Sequence, residues 1–305
     1  MEAAIVLLRQ LICMFIYMGI GYLLFQKKLI TERGSKELSN LLLYVVLPAV
    51  IIHSYCTTRT PEKLSGLWLS FALSALLLVL SMAISMLVYG TRNRIVNIGV
   101  AFSNCGFMGI PLVQAVMGKE AVFFCSAFVA ILLFLQWTYG VFIMTGNRRA
   151  VSTKTVVTNP ILIATLIGVL IFLMQIPIPY VVDTALGAVG ALNAPVAMVI
   201  LGVYLAQTDV KSIFTDKTLY GSSVMRLVVI PLASVVLLCL LPETFNEMKM
   251  ILLISASAPI GANVAIFAQK VGLDYTKAVK TVCLCTILSI ISMPLLILLA
   301  SSLWG

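Results

Sequence analysis

The chain alternates long apolar runs with short polar connections from one end to the other. Runs of about twenty apolar residues, the length of a membrane-crossing helix, cover 4–25, 38–56, 64–89, 95–117, 120–144, 159–176, 180–206, 218–241, 248–270 and 278–303. The pattern predicts an all-α polytopic membrane protein with ten transmembrane helices. Two runs differ from the rest. Ile95–Gly118 contains Asn97-Ile-Gly99-Val-Ala-Phe-Ser103-Asn104-Cys-Gly106-Phe-Met-Gly109-Ile-Pro111, and Met250–Gly272 contains Ser255-Ala-Ser257-Ala-Pro259-Ile-Gly261-Ala-Asn263. Proline removes a backbone donor and glycine weakens a helix, so amides and carbonyls are freed at bilayer depth. Such groups must be buried in protein or line a wet cavity, and spans four and nine are therefore expected to be broken. The 180–206 run, rich in Gly and Ala and holding Asp183, Asn193 and Pro195, suits a helix packed inside a bundle.

Composition narrows the class. With 61% hydrophobic and 10% charged residues, the chain lies outside the range of soluble domains. The first run begins Met1-Glu2, carries Arg9 and lacks a small-residue cleavage site, so it is expected to remain as a span. Lys27, Lys28, Arg33, Lys36, Arg92, Arg94, Arg148, Arg149, Lys154, Lys211, Lys217, Lys270, Lys277 and Lys280 follow odd-numbered spans, against Arg9, Arg59, Lys63, Lys119 and Lys249 on the other side. By the positive-inside rule both termini lie outside the cytoplasm of a multi-pass protein in the cell membrane. The formal +9 charge is then mostly topological, and no nucleic-acid partner is expected. All seven cysteines fall in or beside spans, which implies no disulfide framework.

The polar stretch 145–158 divides the chain into a first five-helix repeat, 1–144, a short cytoplasmic connecting loop, and a second repeat, 159–305. Because five is odd, the second half starts on the other side of the membrane, giving two inverted five-helix repeats. Pro48 and Pro195 interrupt spans two and seven, and spans four and nine end at Gly118 and Gly272. Aligning those glycines sets Ser103 against Ser257; a two-residue gap sets it against Pro259. Interrupted spans at corresponding places in two halves point to a secondary transporter with its substrate site at the breaks.

Asn104-Cys-Gly106-Phe-Met-Gly109-Ile-Pro111-Leu, Pro259-Ile-Gly261-Ala-Asn263-Val-Ala-Ile-Phe-Ala268, and Asn193-Ala-Pro195 before Leu201-Gly202 together resemble the auxin efflux carrier family, which includes plant PIN-type auxin exporters and bacterial malate and malonate carriers. The short central loop looks bacterial. The resemblance implies a scaffold of spans one, two, six and seven, through which a homodimer forms. It implies a moving transport domain of spans three to five and eight to ten, with broken helices that cross within it. PIN-type carriers have proline at both crossing points; here Ser103 takes the first place and Pro259 the second, so the first break would rely on Gly106 and Gly109.

A carboxylate at such a site needs donors to offset its lost hydration, and half-helix N-termini supply amides and a positive dipole end. Asn104, at the first break, is the leading side-chain donor, and Asn193 beside Pro195 is second. Ser103 and Asn263 follow, with Gly106, Pro259, Ile260 and Gly261 supplying backbone at the breaks. Asp183, Ser257 and Gln114 are candidates for coupling to sodium or protons; no other cofactor or metal is expected. His53, the only histidine, suits an interfacial place, and Arg226, like Arg9, is long enough to snorkel to a membrane surface. With no cation fixed at mid-membrane, recognition by dipoles and amides follows. Trp68, Trp137 and Trp304 read as interface anchors or packing. The chain has no Walker sequence and no clustered acid, base or metal residues, so neither an ATPase nor an enzyme is expected. The reading is a secondary carrier of small organic anions such as malate, malonate or auxin-like acids, working by alternating access; the alternative is a membrane ligand sensor on the same fold.

Overall fold

The computed structural model describes residues 2–304 and, within them, every side chain but those of Arg148, Ile266, Gln269 and Lys270. The described residues are helical throughout, apart from connections and one isolated antiparallel bridge. Among the described residues, seven helices are long and apolar enough to cross a membrane: α1 Glu2–Gln26, α2 Glu32–Tyr55, α3 Pro61–Tyr89, α6 Ala121–Thr145, α8 Tyr180–Ala206, α9 Lys217–Leu238 and α12 Tyr275–Trp304. The remaining predicted spans differ. The fourth is split into α4, Arg94–Ala101, and α5, Cys105–Met117. The sixth is the 15-residue α7, Pro160–Met174. The ninth is split into α10, Asn246–Ser257, and α11, Asn263–Lys270. The 145–158 connection is not wholly irregular, since Thr153–Val157 forms a short helix capped by Ser152.

Apolar side chains cover the outside, as a lipid-facing surface requires: Leu87, Val181, Val236 and Leu240 are all exposed. Polarity turns inward instead. On α3, Ser70, Ser74, Ser81 and Ser85 are buried along one stripe, at the four- and seven-residue spacings that share a helix face. Ser70 donates to the Phe124 carbonyl, Ser81 to that of Ala101 and Ser85 to that of Asn97. Hydroxyls used in this way hold helices together where lipid offers no hydrophobic drive.

The helices pack in two groups. α1 lies along α8 in the largest helix contact of the described residues, and α2 packs on α7 and α8. Gly21 and Gly202 make the α1–α8 approach close: a Cβ on Gly202 would lie 2.7 Å from the Tyr22 amide nitrogen and nearer still to the Met18 carbonyl oxygen. In the second group α3 packs on α4 and α6, α9 and α11 pack on α12, and α10 touches α3, α6, α9 and α12.

Three helices share one local device. Widened π turns at Leu42–Val46, Cys105–Gly109 and Met225–Val229 each end two residues before Pro48, Pro111 and Pro231. Proline lacks its amide and its ring crowds the carbonyl four residues back. The preceding amide therefore bonds five back: Leu47 to Leu42, Ile110 to Cys105, Ile230 to Met225. Such turns rotate the side chains on either side of them, and the third carries Arg226.

Candidate functional site

The two breaks meet. After Ala101 the chain turns extended at Phe102, and after Ser257 it does so at Ala258, where ψ is 146°. Ser103 and Ile260 form the antiparallel bridge. The Asn104 amide donates to the Pro259 carbonyl at 2.7 Å and the Gly261 amide to that of Phe102 at 3.3 Å. Backbone groups freed by the interruptions thus satisfy each other, as burial demands. Gly261 permits the approach, since a Cβ there would be 3.3 Å from the Ser103 carbonyl oxygen. Taking the last helical residues, Ala101 and Ser257, as equivalent places Ser103 against Pro259, which is the gapped register of the two left open by the sequence.

The predicted residues divide between this crossing and other places. Ser103, Asn104 and Asn193 are 3%, 4% and 3% exposed, and each keeps an unpartnered buried polar atom: Ser103 Oγ, Asn104 Nδ2 and Asn193 Oδ1. Asn193 Nδ2 donates to the Gly106 carbonyl at 3.0 Å, bringing α8 to the crossing. Asn263 Nδ2 donates to Gln136 Oε1 at 3.1 Å. Ile260 donates its amide to Cys285 Sγ and packs its side chain on Gly99. Ser257 is buried and donates to the Ile254 carbonyl. Gln114 is exposed on the last turns of α5. Asp183 lies 3.4 Å from His53 Nε2, both half-exposed, and it lines a separate cleft with Tyr55, Gln175 and Tyr180.

A recess of about 20 Å³, enough for one water molecule, is lined by Ser103, Asn104, Gly106, Gly261 and Asn263. A cavity of about 380 Å³ adjoins it, because Leu43, Leu133, Ile161 and Asn263 line both. Its walls mix Trp137, Tyr204, Phe267 and Tyr275 with Ser39, Asn159 and Gln207, and Glu32 and Lys36 stand at its rim. Trp137 meets Phe267 edge to face at 4.9 Å. The cavity is walled where α2 and α7 begin and α8 ends, the end of the bundle that bears the Lys- and Arg-rich connections. An apolar, aromatic cavity ending in a few unpaired amides and hydroxyls is what a small amphiphilic ligand needs.

Sequence reasoning missed three features. Arg226 does not snorkel: it is 1% exposed, and its guanidinium donates to the Ala258 carbonyl at 3.0 Å, the Val100 carbonyl at 3.1 Å and the Ala256 carbonyl. A cation is therefore fixed at the crossing, against the expectation of none, and the signal available was its place five residues before Pro231. Gln136, buried in the π turn of α6, gave no signal beyond its isolation in an apolar run. His53 reads as an interfacial residue and Asp183 as a coupling candidate, 130 positions apart in sequence, yet they form a pair.

Interrupted helices with unpaired polar groups where they meet are the pattern expected of a membrane transport protein. The family model of that description, "Membrane transport protein", matches the chain twice, over residues 6–156 and 149–297, and the chain belongs to this family. Each half of the chain is thus matched separately. The chain is similar to an "Uncharacterized transporter" of Methanothermobacter thermautotrophicus strain Delta H, 24% identical over 290 residues, covering 90% of this chain and 92% of the relative. Transport is accordingly favoured over the sensor reading.

Proposed function

We propose that the protein is a secondary carrier of small organic anions, resembling the auxin efflux carriers, that works by alternating access in the cell membrane. The observation that carries this reading is the unpaired Asn104 Nδ2, buried at the junction of two broken helices and reached through the 380 Å³ cavity. A carboxylate there would receive that donor, the Ser103 hydroxyl and the first amides of α5, which a helix start leaves free. Counting each split pair as one crossing gives ten spans in two inverted repeats, 1–144 and 159–305, with both termini outside the cytoplasm. The cavity then faces the cytoplasm. α1, α2, α7 and α8 form the scaffold and the dimer contact, and the second helix group moves. Sodium or proton gradients supply the energy.

Uptake of labelled malate, malonate and indole-3-acetate into proteoliposomes, under imposed sodium, proton or no gradient, tests the reading. Saturable uptake is expected to fall at least tenfold in Asn104→Ala, on the loss of a hydrogen bond to a charged group. Folded wild-type protein that takes up none of the three would sink it.

A further inference from the structure

The crossing contains a charge that the substrate reading leaves unused. Arg226 is buried in the π turn of α9. Ion pairs among the described residues join Arg33 to Glu37, His53 to Asp183 and Lys63 to Glu120, so no carboxylate answers Arg226. Its partners are neutral. They are the carbonyls of Val100, Ala256 and Ala258, with Ser81 Oγ at 3.4 Å from Nη1. Those carbonyls share a character: Val100 lies in the last turn of α4, Ala256 in that of α10, and Ala258 caps α10.

The C-terminus of a helix carries about half a negative charge and the N-terminus about half a positive one. A helix that breaks and resumes sets the two ends side by side, so its own field at the break largely cancels. Two such breaks crossing would still attract no anion. Arg226 changes the balance. One positive charge on the carbonyl ends of both leading half-helices offsets their combined partial charge of about −1. The amide ends of α5 and α11 are then unopposed.

We propose that Arg226 sets the anion preference of the crossing without touching the substrate, by neutralising the carbonyl ends of α4 and α10 so that the amide ends of α5 and α11 face the recess alone. The inference rests on the carrier reading and names how its site selects charge. Arg226 is a positioning residue for the field. It bonds the Ala258 carbonyl, and Asn104 bonds the next one along, that of Pro259; standard backbone dimensions keep the guanidinium within about 10 Å of Asn104. A unit charge at that range, in the effective dielectric of a protein site, alters anion affinity roughly tenfold.

Ser81 offers the cleanest test, because Ser81→Asp sets a carboxylate beside the guanidinium while Ser81→Asn is nearly the same shape and neutral. Equilibrium binding of malonate and indole-3-acetate, and of the neutral malonamide and indole-3-acetamide, would be measured on the purified full chain. Ser81→Asp should weaken carboxylate binding roughly tenfold, with Ser81→Asn within about twofold of wild type and no comparable loss for the amides. Arg226→Lys against Arg226→Gln gives the same comparison from the other partner: the lysine variant should keep the preference and the glutamine variant lose it. Equal carboxylate affinity in Ser81→Asp and Ser81→Asn, or in the lysine and glutamine variants, overturns the inference while leaving the carrier reading intact. Wild-type protein that binds none of the four compounds overturns both.

Discussion

Gly202→Ala should destabilise the protein more than any other single-methyl addition to the α1–α8 seam. The new Cβ would lie 2.7 Å from the Tyr22 amide nitrogen and closer to the Met18 carbonyl oxygen, whereas ordinary carbon contacts begin near ~3.4 Å. The obstructing atoms are helix backbone, which cannot rotate away, so the axes must part by more than about 0.7 Å, and neighbouring contacts lose a quarter or more of their dispersion attraction. Overpacking costs about 1–3 kcal/mol even where side chains can yield, and this site belongs at the top of that range. Gly21→Ala, whose Cβ would sit 2.7 Å from Val199 Cα, should behave alike. Gly19 provides the control on the same helix, since nothing lies within 4 Å of its would-be Cβ, and alanine there should cost nothing. Thermal unfolding in detergent, followed by tryptophan fluorescence, should rank Gly202→Ala and Gly21→Ala at least about 5 °C below Gly19→Ala. Equal midpoints for the three variants would refute the claim that backbone contact, rather than generic helix propensity, holds these helices together.

Three further outcomes follow from the same contacts. Gln136→Leu should lower stability by about 1–3 kcal/mol by stranding the Asn263 amide, and adding Asn263→Leu should recover part of the loss in a double-mutant cycle of unfolding midpoints; additive losses would deny the pair. Asp183→Asn should leave substrate affinity within about twofold of wild type, because the Asp183–His53 pair lines a cleft apart from the crossing; a loss of affinity of about tenfold or more would contradict it, and abolished uptake in proteoliposomes at unchanged affinity would assign Asp183 to coupling. Tyr55→Phe removes the 2.8 Å buried bond from the Ser126 hydroxyl while keeping the edge-to-face stack on Phe123. It should cost about 1 kcal/mol and alter turnover more than affinity, and a pure change in affinity would contradict it.

The sequence located the breaks because Gly, Pro and Asn at bilayer depth have few structural uses. Ser103, Asn104, Pro259 and Gly261 do lie together. What it could not supply was which side chain reaches across. Arg226 is legible as a cation near the start of a span, and length alone favours snorkelling. Its inward aim depends on the π turn that Pro231 forces and on carbonyls 126 and 32 residues away that need donors. The Asp183–His53 pair was illegible for the same reason, since the pairing is purely tertiary. Gln114 lies close to the motif in sequence, and the helix between them carries it out to an exposed face.

In the proposed carrier, the hydrogen bonds indicate where motion must occur. The crossing is tied to its own group by many contacts: Ser81 and Ser85 from α3, Arg226 from α9, and Cys125 of α6 beside Ser255. Ser126 to Tyr55 and Asn193 to Gly106 reach instead from that group to α2 and α8. A movement that carried α4 and α5 without α10 and α11 would tear the ribbon through Ser103 and Ile260 and expose four half-helix ends to lipid, where each unpaired backbone group costs several kcal/mol. Sliding the whole group breaks instead its contacts with α1, α2, α7 and α8. One of these, Asn193, holds an unpartnered oxygen beside the recess. A residue that joins the two groups is thus also placed to sense whether the site is filled, and coupling between occupancy and motion needs no longer path than its side chain.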